Sequence, residues 1–149
     1  MAPGYEPREG LDHSSKPDAE QTAAGRQGVV IHAEQVLAPG PRAPAAARAS
    51  VRATCAPAFP HLLDDALLLV SEVVTNAVKH GHAPLRLTVD CDLTGIVVTV
   101  EDASPLMPRA RRTDRRRHSG RGLVLVEKVA VEWGVRRTQV GKQVWFRLA

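Results

Sequence analysis

Aromatic side chains are nearly absent from this sequence. Its 149 residues include two Trp, one Tyr and two Phe, so any core must be aliphatic. Cysteine is almost as scarce. Two residues, Cys55 and Cys91, are too few for a disulfide framework, and their settings in a helical and a strand-like stretch read as buried free thiols in a reducing compartment. No apolar run approaches the roughly 20 residues of a membrane span. The opening MAPGYEPREG has neither the basic nor the apolar region of a secretory signal. Together these absences give the expectation of a cytoplasmic chain with no membrane contact.

What is present divides unevenly. Residues 1–27 are rich in Gly, Pro, Ser, Glu and Gln and read as a disordered tail, leaving 28–149 as one folded domain. The formal net charge of +4 is local in origin. Seven of the 20 basic residues fall between Arg109 and Arg121, beside a single acid, Asp114; the rest of the chain carries 13 bases against 15 acids. The basicity therefore belongs to one segment.

The apolar pattern supplies the elements. VVIHAEQV reads as a strand at a sheet edge, and the Ala-rich stretch before Pro57 and Pro60 as a helix. A second helix runs from about His61 to His80, ended by Gly81. Leu85, Leu87, Val89, Cys91 and Leu93 alternate with polar residues, Thr94-Gly95 turns the chain, and Ile96, Val98 and Val100 continue on a partner strand. After a polar loop of about fifteen residues, GRGLVLVEKVA returns to helix, and EWGVRRT and QVWFRLA close the chain as strands. Hairpins imply antiparallel pairing and half-polar strands imply one wet face. The expected fold is α+β, a two-layer sandwich with helices on one face of a mainly antiparallel sheet.

Three polar features interrupt this frame. Glu72, Asn76 and His80 repeat at i, i+4 and i+8 on a helix otherwise apolar nearly all round, so they form one stripe. That stripe faces either solvent or a ligand. Counting in twos from Ile96 puts Asp102 on the apolar face of its strand, at the very end. A buried carboxylate needs donors, unless it caps the following loop locally. Gly120-Arg121-Gly122 sits where the basic loop enters a helix. There, unpaired backbone N–H groups favour anions, although a G-x-G alone is equally a flexible loop.

The order of these features, a helical E-x-x-x-N, a hairpin ending in Asp, a loop and G-x-G-L opening a helix, resembles the GHKL (histidine-kinase-like) ATP-binding superfamily. SEVVTNAVKHG resembles its N box, HSGRGLVLVEKVA its glycine-rich second box, and WGV with GKQVWFRL its closing strands. The likeness spans about residues 28–149 and is greatest to small bacterial anti-sigma-factor serine/threonine kinases.

The resemblance implies a helix-over-sheet sandwich that binds ATP and Mg²⁺. It implies that Asn76 holds the metal, that Glu72 is the base orienting a hydroxyl or water, and that Asp102 accepts a hydrogen bond from the adenine amino group. Gly120, Arg121 and Gly122 would cradle phosphates. Lys79 and His80 would line the phosphate end, with Ser104 and Leu123 completing the nucleotide site. It further implies a protein partner, a sigma factor or an anti-anti-sigma antagonist that becomes phosphorylated, and a possible homodimer. The alternative within the same fold is a partner-binding module of little or no catalytic activity.

Two departures from the family pattern stand out. The first glycine box, D-x-G-x-G in the family, is Asp102-Ala103-Ser104-Pro105-Leu106 here. The position after Gly-Lys, often Thr near the adenine, is Gln143. The basic loop reads as a lid or solvated segment, as a surface for an acidic protein, or as a nucleic-acid patch. The shortage of nearby rings to stack bases weighs against the last.

Overall fold

The structure is a computed structural model that describes residues 30–107 and 121–149. The expected tail (1–27) and most of the basic loop, including Gly120, lie outside the described residues.

The described elements follow the order expected from the sequence. They are β1 (Ile31–Leu37), α1 (Ala43–Cys55), α2 (Leu63–His80), β2 (Leu85–Asp92), β3 (Gly95–Asp102), α3 (Arg121–Val129), β4 (Glu132–Arg137) and β5 (Lys142–Leu148). The strands form one antiparallel sheet in the order β1-β2-β3-β5-β4. The helices cover one face, as the half-polar strands require. Among the described residues no helix is long and apolar enough to cross a membrane.

The alternation in β2 and β3 decides which face is dry. Leu85, Leu87, Val89 and Cys91 are buried, as are Ile96, Val98 and Val100, while the intervening residues face the other way. On β5 the inward set is Lys142, Val144, Phe146 and Leu148, opposite Asp102, Val100, Val98 and Ile96 in the register. The wet face carries cross-strand polar contacts instead. His32 meets Asp90 at 2.6 Å and Glu34 pairs with Arg86. Trp145 lies across Gly134, where an added Cβ would stand 2.9 Å from the indole nitrogen.

Helix α2 is the largest helical contribution to the core. Ala66, Leu67, Leu69, Val70, Val73, Val74 and Ala77 are buried, and a fully buried Leu or Val side chain contributes roughly 1.5–3 kcal/mol. Asp64 and Asp65 lie in its first turn and Lys79 and His80 in its last, the arrangement the helix dipole favours. Its end is fixed at Gly81, whose N–H donates to the Ala77 carbonyl. Helix α1 packs beside it, where the Arg48 guanidinium donates to Ser71 Oγ at 3.0 Å.

Two local expectations are corrected. Leu93 is not a strand residue. It is 71 % exposed at the hairpin tip, because Asp92 Oδ1 accepts from both the backbone N–H and the hydroxyl of Thr94 and so turns the chain one residue early. Cys55 and Cys91 are buried as expected, but they are not free thiols. They are joined as a disulfide with their Cα atoms 6.2 Å apart. The last turn of α1 lies over the inward face of β2, which brings the two side chains together across the layers. The pairing withdraws the argument for a reducing compartment that free thiols had supplied.

Candidate functional site

Two clusters lie along the C-terminal half of α2, one against the start of α3 and one against the end of β3. The first is built on Gly122, in the first turn of α3. A Cβ added there would lie 2.8 Å from Asn76 Nδ2 and 3.2 Å from Glu72 Oε2. Any larger residue here would make the Asn76 carboxamide shift. The sequence features that stood 46 and 50 residues apart are thus in van der Waals contact.

Glu72 and Asn76 are both part-exposed. Among the described residues neither side chain takes part in a hydrogen bond or ion pair. Glu72 also opens on a pocket of about 390 Å³ shared with Val124, Leu125 and Lys128 of α3. This pocket lies between the two helices and does not extend to Asp102. A carboxylate and a carboxamide held side by side, open to solvent and uncommitted, can accept a proton or ligate a hard cation.

The second cluster surrounds Asp102. Its carboxylate is 3 % exposed. The donors it needs come from the protein. Oδ1 accepts the backbone N–H of Ser104 at 2.7 Å and the Lys142 ammonium at 3.0 Å. The resemblance implies a further donor, an adenine amino group. Gly81 closes the other side, where an added Cβ would meet the Asp102 carboxyl carbon at 2.7 Å and Oδ2 at 2.8 Å. The Ala103 N–H donates to the His82 carbonyl at 2.8 Å, tying the strand end to the loop after α2.

The other sequence candidates fall around these clusters. Ser104 is fully buried, and its hydroxyl accepts the Leu106 N–H at 3.2 Å. Where the family pattern has glycines, the chain makes a self-bonded turn. Leu123 is part-buried at the start of α3. Lys79 and His80 are exposed at the end of α2. Gly120 and the side chain of Arg121 lie outside the described residues, as do the expected lid, partner-surface and nucleic-acid roles of the basic loop.

Gln143 is not beside Asp102. It pairs in register with Glu101, so its side chain stands on the wet face. There its oxygen accepts from Arg136 at 2.7 Å and its nitrogen donates to Glu101 at 3.2 Å. Lys142 occupies the inward position instead, and the sequence reading missed it. The count in twos that placed Asp102 would have found it, since Leu148, Phe146, Val144 and Lys142 share one parity. Lys128 was also missed. Its i, i+4 relation to Val124 on α3 was the available signal.

Residues 37–148 match the family model of the histidine kinase-like ATPase domain. No curated protein matches the chain.

Proposed function

The chain belongs to the histidine kinase-like ATPase domain family, and from that premise we propose that it is an ATP-dependent regulatory kinase of the anti-sigma type. In this reading it acts in the cytoplasm, transfers the γ-phosphoryl group of ATP to a Ser or Thr of an antagonist protein, and holds a partner such as a sigma factor. The observation that carries the reading is the contact of Gly122 with Glu72 and Asn76. It sets a backbone able to approach phosphates beside a free carboxylate and a free carboxamide.

Each group then has a task. The first backbone N–H groups of α3 face the phosphate chain. Glu72 takes the proton of the attacking hydroxyl, whose oxygen bonds the γ-phosphorus as the bond to the bridging oxygen breaks and ADP leaves. Asn76 would hold Mg²⁺ through its carboxamide oxygen. Among the described residues no three His, Cys, Asp or Glu side chains gather as a metal cage. The ion would neutralise charge on the triphosphate. Lys128, at the Glu72 pocket, adds a cation on the same side.

The test is thermal unfolding with and without Mg·ATP. A ligand present at about 100 times its Kd adds roughly 2.7 kcal/mol, and the raised midpoint should require Mg²⁺ and vanish in Asn76→Ala. No rise at millimolar ATP would remove the reading. One observation favours a second reading, a partner-binding module without catalysis. The turn after Asp102 is stiff and self-bonded through Ser104 where glycines would leave room. That module would bind its protein partner unchanged when Glu72 is replaced.

A further inference from the structure

The nucleotide reading uses Gly122, Asn76 and Glu72 and gives the apolar wall beside them no task. The pocket of about 390 Å³ on which Glu72 opens is otherwise lined by Val124, Leu125 and Lys128, all of α3. Val124 is 39 % exposed there, on a short helix whose Val126 is fully buried. Leu68, one turn before Glu72 and so on the same face of α2, is 44 % exposed. Lys128 is exposed and, among the described residues, forms no ion pair. Gly122 touches Glu72, and Lys128 lies six residues further along α3, about 9 Å at the helical rise. The pocket therefore has an apolar wall between an acid and a base.

We infer that this pocket receives the segment of the acceptor protein that carries its Ser or Thr, and that Lys128 selects a segment with an acidic side chain close to that hydroxyl. The inference rests on the kinase reading above. The hydroxyl has to reach Glu72, the group that takes its proton. A carboxylate on the same segment is repelled from the Glu72 end and drawn to the Lys128 ammonium, so the two charges orient the segment along α3. Its passage covers the exposed apolar surface of Val124 and Leu125. An extended chain advances about 3.3 Å per residue, so the separation of about 9 Å corresponds to an acid about two or three residues from the Ser or Thr. Lys128 is then a specificity-determining residue that meets the substrate away from the reacting atoms.

The experiment measures transfer of labelled γ-phosphate from Mg·ATP, by the full chain, to synthetic peptides with one Ser in a Gly-Ala background. Each peptide carries Glu, Ala or Lys at one position, at each spacing from the Ser in turn. The wild type should favour Glu over Ala about three- to fivefold at a spacing of about two or three residues, the worth of an exposed ion pair. The gain should appear in KM. Lys128→Glu should favour Lys at that same spacing. Each preference is a ratio within one protein, so a general loss of rate does not mimic it. A wild type indifferent to Glu at every spacing overturns the proposal, as does a preference for Glu that survives in Lys128→Glu. A wild type that binds Mg·ATP but phosphorylates no peptide overturns it and leaves the nucleotide site standing. A wild type that does not bind Mg·ATP removes the kinase reading itself. If Lys128→Glu transfers to no peptide, Lys128→Ala decides. A Glu-to-Ala ratio near one then supports the proposal, and the wild-type ratio or equal inactivity overturns it.

Discussion

Glu72 and Asp102 are both carboxylates on the helix side of the same sheet, and the molecule treats them in opposite ways. Glu72 is part-exposed and borders a pocket, with no ion pair among the described residues. Asp102 is buried, ion-paired and bonded to the backbone of its own loop. The difference separates a group available for chemistry from one held in a fixed state. Substitutions at the first corner should cost activity and spare stability, and substitutions at the second should cost stability as well.

The largest expected effect breaks the first half of this contrast if it fails. Glu72→Ala should lower phosphoryl transfer by about 10²- to 10⁴-fold, the usual contribution of a general base, measured by transfer of labelled γ-phosphate. Its unfolding midpoint should move by no more than about 0.5 kcal/mol. A loss of several kcal/mol would mean that Glu72 belongs to the core. For the second half, Asp102→Ala leaves the Lys142 ammonium buried without its partner. Stability should fall by about 3–5 kcal/mol, read from urea denaturation. An unchanged midpoint would show the pair to be dispensable.

The two glycines sharpen the comparison at smaller scale. A Cβ at Gly81 meets the Ala77 backbone carbonyl at 2.5 Å and the fixed Asp102 carboxylate at 2.7 Å, neither of which can turn aside. Gly81→Ala should cost about 1–3 kcal/mol. A Cβ at Gly122 meets the ends of two movable side chains. Gly122→Ala should cost less than about 1 kcal/mol of stability yet weaken Mg·ATP binding about tenfold, a displacement of the Asn76 carboxamide worth about 1.4 kcal/mol. Equal stability losses in the two variants would erase the distinction. The smallest effect is a control on the wet face. Arg136→Ala removes an exposed contact to Gln143 and should move the midpoint by less than about 0.5 kcal/mol.

Much of the fold was legible because strand parity is a strict rule. Alternation from Leu85 to Val100 placed the dry face, and the same count placed Asp102 on it. Element order followed from periodicity and from punctuation at Pro57, Pro60 and Gly81. The misses share one physical cause, contact between elements distant in the chain. Lys142 lies 40 residues from Asp102, and only the β3–β5 register, formed across α3 and β4, makes them partners. The likeness gave no face for Gln143, and its own parity puts it opposite Glu101. Cys55 and Cys91 lie 36 residues apart in different layers, and no local pattern announces their meeting. Leu93 failed for the opposite reason, since a local Asx turn overrode a good alternation.

The disulfide has a mechanical consequence for the site. Cys91 pairs in register with Ile96, near the β2–β3 turn, whereas Asp102 ends the same hairpin at its far side, beyond the Arg86–Glu101 pair. The helix layer is therefore stitched to the sheet at one margin only. At the opposite end, where Gly81 packs on Asp102, the layers are joined by packing and by the short 81–84 connection from α2 to β2. That end therefore depends on its packing, whereas the Cys55–Cys91 end keeps a covalent link between helix and sheet whatever its packing.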